Sequence, residues 1–393
     1  MPVETVQQAF ENRLATDEFI NFSAQKEITK RAGELWERRE KVAGKAVFVP
    51  VPSCGFFPDN KDVWAVKNEE EIDTKYPYVL TPAVDDLAKL LSVVTYGLEL
   101  QEKGQKPALV ANLIPEQRME REVVDSEGKL HGVKGTEMAL LQGVASFLAQ
   151  GFPRGLIHTE GHSLGLEYWA GKYDLPVLTL SAMPKLINEA ISEGMIDNVR
   201  SVAVGGDAGG VMTMNMVSEY AGQLGMEIET VYGEKRAEEV FTDWGKGRIK
   251  GAQVLFGDDI ISSGKTVFQK VLKTAFEAGA RNAVVLVTHA DLVQHTLNNL
   301  NSCAGRVSLV IGDTFPIRTE VTEALTLDKR ILRVKVFEKV IKVAEMDAQN
   351  LLADVFTNED IQAELFRQTE MVIFPSYVAR YRTVSNMLKW PNG

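Results

Sequence analysis

The sequence predicts an α/β chain of two domains, each a mostly parallel sheet flanked by helices. Three observations predict it. From residue 45 to about 345, short apolar runs of strand length alternate with longer segments of helical spacing. Parallel strands need a crossover between them, so this alternation reads as βαβ units rather than hairpins. The alternation runs twice, with a seam near 175–195, and 393 residues suit two or three domains.

The elements follow in order. Residues 1–44 read as a helical extension, because "QQAFENRLATDEF" and "ITKRAGELWERREKV" keep helical spacing. A first domain spans 45–180. It opens with the strand "KAVFVPVP" (45–52). The helix "DDLAKLLSVVTYGLELQEKG" (85–104) stops at a glycine, and the strand "KPALVANLIP" (106–115) follows. The helix "EMALLQGVASFLAQG" (137–151) then leads to the strand "GLIHTEG" (155–161).

A second domain spans 181–345. "VRSVAVGGDAGG" (199–210) is a strand ending in a glycine-rich turn, and 211–225 reads as helix. "MEIETVYGEKR" (226–236) is strand into loop, and "GAQVLFGDD" (251–259) is strand. "KTVFQKVLKTAFEAGA" (265–280) is helix, and "RNAVVLVTHADL" (281–292) is strand. Segments 305–316 and 330–346 continue the pattern. Residues 346–393 read as a C-terminal helical extension that packs back on the first domain.

Composition excludes several functions. A net charge of -11 and a pI near 5.2 disfavour duplex nucleic acid or anionic membrane as a partner. Cys54 and Cys303 form neither a disulfide framework nor a metal-ligand spacing. The first residues read as neither signal peptide nor membrane span, so a cytoplasmic protein is expected.

The most informative stretch is "VLFGDDIISSGKTVFQKVL", 254–272. Its Gly264-Lys265-Thr266 has the ending of a nucleotide-binding P-loop. That motif needs a glycine five positions before Gly264, and Asp259 stands there. A carboxylate would sit where backbone amides should cradle an anion. The alternative is an apolar strand ending in Asp258-Asp259, then the small-residue turn Ser262-Ser263-Gly264-Lys265-Thr266, then a helix. Amides at a helix start bind anions. Paired aspartates can hold a ribose diol, or a divalent cation through water. One site would then grip a sugar ring and its terminal phosphate.

This stretch resembles the 5-phosphoribosyl diphosphate (PRPP) loop of type I phosphoribosyltransferases and of the ribose-phosphate diphosphokinases that make PRPP. "VAVGGDAGGVMTMNMVSEYAGQLGMEIETVYGEKRAEEV" is similar to the diphosphokinase run: S-P-D-A-G-G, a helix, then a K-x-R loop. "IGDTFP", "LIPEQRMER" and "GLIHTEGHSLG" stand where that family has its T-N-T-I-P, R-Q-D-R and D-L-H-x-x-Q segments. The resemblance implies two domains of phosphoribosyltransferase type I, Mg²⁺, ATP as co-substrate, small-molecule substrates and a homo-oligomer. It implies an enzyme that moves the β,γ-diphosphoryl group of ATP to the anomeric hydroxyl of ribose 5-phosphate, releasing AMP. By position, His162 and Asp207 would hold the metal, and Arg118, Arg121 and His162 would bind ATP. Lys235 and Arg236 would neutralise the transferring group. Asp258 and Asp259 would take the ribose hydroxyls, and Ser262, Ser263, Gly264, Lys265 and Thr266 the 5′-phosphate.

The sequence departs from that family at several positions. The phosphate loop loses an acid and gains Lys265. Glu234 replaces a lysine, Met119 a glutamine and Glu160 an aspartate. A loop more positive by two charges suits an acceptor with more negative charge, such as ADP-ribose. A non-catalytic regulatory paralogue, or a transferase that consumes PRPP, is the further alternative.

Overall fold

The computed structural model describes residues 22–42, 44–51, 54–56, 62–64, 72, 74–115, 122–124, 130–133, 137–161, 165–197, 200–205, 217–218, 220–221, 226, 228–232, 234–236, 239–241, 249–315 and 319–373. The chain divides into two compact units. The first takes the described residues up to Leu178 together with Met346–Thr357. The second takes Thr179–Glu345 and the described residues from Asn358.

The first unit begins with helix α1 (Phe22–Arg38) and strand β1 (Val47–Pro50). A small antiparallel hairpin follows, β2 (Cys54–Phe56) with β3 (Asp62–Trp64). Then come β4 (Pro77–Ala83), α2 (Leu87–Glu102) and β5 (Ala108–Leu113). A second hairpin pairs β6 (Glu122–Val124) with β7 (Leu130–Val133). Helix α3 (Glu137–Gly151), strand β8 (Leu156–Thr159), helix α4 (Gly165–Lys172) and strand β9 (Val177–Ser181) complete the run. Strands β1, β4, β5 and β8 are parallel neighbours in that order. The Asp86 side chain caps α2 by accepting from the Lys89 N–H. Leu90, Val93 and Leu100 of α2 and Leu141, Val144 and Leu148 of α3 pack on Leu109 and Leu156. Burying each such side chain contributes about 1.5–3 kcal/mol.

The second unit continues with α5 (Met183–Ser192) and strands β10 (Ser201–Gly205) and β11 (Ile228–Tyr232). An antiparallel hairpin joins β12 (Glu234–Arg236) to β13 (Glu239–Phe241). Strand β14 (Gln253–Ile261) runs through the loop at 262–266 into a π-helical turn, Val267–Val271, and helix α6 (Leu272–Glu277). Then follow β15 (Asn282–Ala290), α7 (Gln294–Ser302), β16 (Val307–Gly312), α8 (Thr319–Leu327), β17 (Ile331–Val334) and α9 (Phe337–Ala348), whose residues from Met346 on belong to the first unit. Helix α10 (Glu359–Thr369) and strand β18 (Val372–Ile373) come last, and β18 pairs antiparallel with Leu180 and Ser181, the part of β9 that belongs to this unit. The second sheet has the order β11-β10-β14-β15-β16-β17, and every one of its pairings is parallel. Two mostly parallel sheets with helices between their strands confirm the α/β class.

Several elements differ from the sequence expectation. β4, a central strand, went unread because Pro77 and Pro82 break the pattern expected of a strand. β14 runs two residues past Asp259, where the sequence reading ends the strand. The helix read over 265–280 opens with the π turn. Of the helix read over 211–225, Val217, Ser218, Tyr220 and Ala221 are described and are helical. The segment "QQAFENRLATDEF" lies outside the described residues.

Candidate functional site

In the second sheet, β10 lies between β11 on one side and β14 on the other. The chain order therefore reverses at β10. Parallel α/β sheets bind ligands at such a reversal, beyond the carboxyl ends of the strands. Three of the sequence motifs leave from this edge. β14 carries Asp258 and Asp259 at its carboxyl end. β10 ends at Gly205, two residues before Asp207. β11 ends at Tyr232 and feeds the hairpin that carries Lys235 and Arg236, whose register sets Arg236 opposite Glu239.

The strands also differ in length at this edge. β10 pairs with β14 from Ser201↔Gln253 to Val204↔Phe256. β14 continues alongside β15 as far as Ile261↔Ala290. Asp258 and Asp259 thus lie past the last β10–β14 pairing, and both are half-buried. The Asp259 N–H donates to Asp258 Oδ1 at 3.0 Å. That bond turns one Asp258 oxygen back to the chain.

The loop after β14 is held from behind by α7. The Thr296 hydroxyl donates to the Ser262 carbonyl, and Asn299 Nδ2 donates to the Ser263 carbonyl at 2.8 Å. A trans peptide unit is planar, with its N–H opposite its C=O. Fixing those two carbonyls therefore turns the N–H groups of Ser263 and Gly264 away from α7. Gly264 has φ +66, which lets the chain turn there, and its α-carbon lies against the Phe268 ring. A Cβ at 264 would stand 2.4 Å from Phe268 Cε2. Ser263, Lys265 and Thr266 are exposed. The Lys265 N–H reaches Ser263 Oγ at 3.4 Å, a weak turn contact. The result is two outward-facing amides with a cation beside them, chemistry suited to a phosphate.

Thr296 and Asn299 were not singled out from sequence. They lie about thirty residues from the loop, on a helix with no motif. "IGDTFP" has a structural component: Asp313 Oδ1 accepts from the Val336 and Phe337 N–H groups, at 2.7 and 2.9 Å, and so caps α9. His289 is buried with Nδ1 2.8 Å from Thr314 Oγ1.

At the first sheet, β5 and β8 are parallel neighbours, so the segments after them leave from the same edge. The segment after β5 carries Arg118 and Arg121, and the one after β8 carries His162. Thr159 Oγ1 ties these strand ends by donating to the Asn112 carbonyl at 3.1 Å. Glu160, next in the chain, is buried and holds φ 40. Non-glycine residues in that region are costly and cluster at functional sites. Arg118, Arg121, His162 and Asp207 themselves lie outside the described residues. Lys235 and Arg236 are described in backbone only. The structure thus brings together Asp258, Asp259 and residues 262–266.

Mg²⁺ needs hard oxygen ligands. Asp258 and Asp259 are of that kind, and among the described residues no group of three or more His, Cys, Asp and Glu is arranged to hold a metal. No helix among them is long and apolar enough to cross a membrane.

No protein-family model matches the chain, and no curated protein matches it. Among solved structures, a hypoxanthine phosphoribosyltransferase from Staphylococcus aureus aligns over 28% of this chain and 72% of its own at 16% identity. Its TM-score of 0.23 is too low to bear on the fold. The chain is similar to phosphoribosylpyrophosphate synthetase from Mycobacterium smegmatis over 83% of its length and 96% of that chain, with a TM-score of 0.59 and 16% identity. At that identity the likeness speaks for the fold alone, and the chain has a PRPP synthetase-like fold.

Proposed function

We propose that the chain is a diphosphokinase that transfers the β,γ-diphosphoryl group of ATP to the anomeric hydroxyl of ribose 5-phosphate, giving PRPP and AMP. One observation carries this reading. In a PRPP synthetase-like fold, the Asp258-Asp259 pair at the carboxyl end of β14 runs directly into the loop at 262–266 with its outward-facing amides, beside the chain reversal. The carboxylates suit the ribose 2- and 3-hydroxyls. The Ser263 and Gly264 amides, with Lys265, suit the 5′-phosphate. Phosphoryl transfer depends mainly on positioning and charge neutralisation, and both can be supplied by fixed groups.

Asp207 and His162 would hold Mg²⁺. Once bound, the ion supplies charge neutralisation on the ATP phosphates. Arg118 and Arg121 would bind ATP. Lys235 and Arg236 would face the diphosphoryl group as it moves. The anomeric oxygen forms its bond to the β-phosphorus, the bond to the bridging α,β oxygen breaks, and AMP leaves with that oxygen.

A second reading, with ADP-ribose as acceptor, is favoured by Lys265. An exposed lysine inside the phosphate loop suits a diphosphate better than a single phosphate. The test is AMP release from ATP and Mg²⁺ with each acceptor offered separately. Release with ribose 5-phosphate, lost in Asp207→Ala and Arg236→Ala, is the expected result. Release with ADP-ribose alone moves the reading to the larger acceptor. Release with neither would overturn both and favour a non-catalytic regulatory paralogue.

A further inference from the structure

The π turn and α6 have a second face, away from the loop's exposed side. There a cavity of about 610 Å³ opens between α6 and the end of α7, lined by Phe268, Gln269, Lys273, Phe276, Cys303 and Arg306. Its size falls in the range of small-molecule sites. Its walls combine aromatic rings with cations. The Arg306 guanidinium carbon lies 3.8 Å from the Phe276 ring centroid, stacked on its face. Lys273 adds a second cation, against the single carboxylate of Glu277. A local excess of positive charge stands out in a chain of net charge -11. The guanidinium stacked on the Phe276 ring offers a planar surface to a flat partner, and the cations favour an anionic one.

Two of these wall residues also reach the candidate phosphate loop. The Phe268 ring lies against Gly264 so closely that a Cβ there would meet it at 2.4 Å. Gln269 Nε2 donates to Asn299 Oδ1 at 2.6 Å, and Asn299 Nδ2 donates to the Ser263 carbonyl at 2.8 Å. One route is steric and the other is a chain of hydrogen bonds. An occupant that shifts the Phe268 ring, or takes over the Gln269 amide, changes the support of Ser263 and Gly264.

We propose that this cavity is a second, regulatory site for a flat aromatic anion, and that its occupancy resets the Ser262–Thr266 loop. The consequence for phosphate binding rests on the proposed function; the cavity and its coupling do not.

The test uses 2-naphthoate as probe and the full chain with Cys54→Ser, which leaves Cys303 as the single thiol. Burial pushes the Cys303 thiol up, so its reaction with methyl methanethiosulfonate is followed at alkaline pH. Saturating probe is expected to slow that reaction about tenfold when present at about ten times its Kd. Arg306→Glu and Lys273→Glu, both at exposed positions, are expected to abolish the protection. In the same samples, hydrogen exchange of the peptide covering 258–268 is expected to change about threefold with probe. Asn299→Ala, outside the cavity wall, should weaken that change while leaving the protection in place. Absence of saturable protection, or protection unaltered in both charge variants, would overturn the site. Protection with unchanged loop exchange would overturn the coupling. Neither readout involves ATP or ribose 5-phosphate, so a failure here is distinct from a failure of the diphosphokinase reading.

Discussion

Both units gather charged groups at the ends of parallel strands, but at opposite ends and with opposite results. In the first unit the charges lie at the amino ends of β4 and β8 and are sealed in. Asp347 accepts from the Tyr78 hydroxyl at 2.6 Å and from Arg154 Nη2 at 3.4 Å, and also pairs with Arg39. All four side chains are nearly inaccessible. Arg39 and Arg154 also lie over the rings of Trp36 and Tyr78, at 3.4 and 4.9 Å. Burial pulls the Arg39 guanidinium down to about 9, which leaves it charged at neutral pH. In the second unit the charges lie at the carboxyl end of β14, half-exposed, beside amides turned outward. The first arrangement pairs its charges with one another and holds distant segments together, although Arg39 Nε, Arg154 Nε and Arg154 Nη1 find no hydrogen-bond partner among the described residues. The second lies half-exposed at a strand end, where a ligand can reach it. Burial and internal partnering, more than charge alone, separate a structural cluster from a candidate site.

The largest expected effect breaks the structural cluster. Asp347→Ala would leave two arginines buried beside each other with no counter-charge. Breaking a buried pair by removing one partner costs about 3–5 kcal/mol. Urea unfolding should show a loss of that size. Hydrogen exchange at 262–266 should not respond, because the loop is anchored within its own unit. A loss below about 1 kcal/mol would mean that the arginines gain water or another anion on substitution.

Much of the second sheet was legible in the sequence. "AVVLVTH" and "QVLF" are apolar runs of strand length, and buried parallel strands are hydrophobic on both faces. The Asp258-to-Thr266 motif was legible for the same reason: its residues are contiguous. What escaped was assembled from a distance. Asp347 meets Tyr78 across 269 positions, and Asn299 meets Ser263 across 36. No local period encodes such contacts. β4 escaped because prolines at 77 and 82 contradict the usual strand signal. β18 escaped because a two-residue strand is formed by its neighbour, β9, and not by its own propensity. The π turn is also a packing outcome, since 265–280 has ordinary helical spacing.

A smaller effect is expected at Gly264, where backbone and packing constraints coincide. Gly264→Ala forces an L side chain into φ +66 and drives a methyl group into the Phe268 ring. Gly305 is the control: it has φ +74, but a Cβ there would meet nothing within 4 Å. Gly305→Ala should cost only backbone strain, about 1–2 kcal/mol. Gly264→Ala should cost that strain plus about 1–3 kcal/mol of overpacking. Equal losses would show that Phe268 moves aside freely. That would weaken the steric route from the cavity to the loop.

The smallest expected effect separates the orientation of the loop from its stability. Asn299→Ala removes the donor to the Ser263 carbonyl at a half-buried position, a net loss of about 1 kcal/mol. Thr296 still holds the Ser262 carbonyl, so the loop stays attached at one point. The freed peptide unit between Ser263 and Gly264 can then rotate, and the Gly264 N–H no longer faces outward by construction. Ribose 5-phosphate affinity, measured by calorimetry, should fall about fivefold, the equivalent of about 1 kcal/mol. Asn299→Asp sharpens the test. It keeps the shape but places a carboxylate against the carbonyl it formerly held. Affinity should fall further in Asp than in Ala. If Asp leaves binding intact while Ala weakens it, Asn299 contributes only bulk, and the outward amides are set by the turn itself.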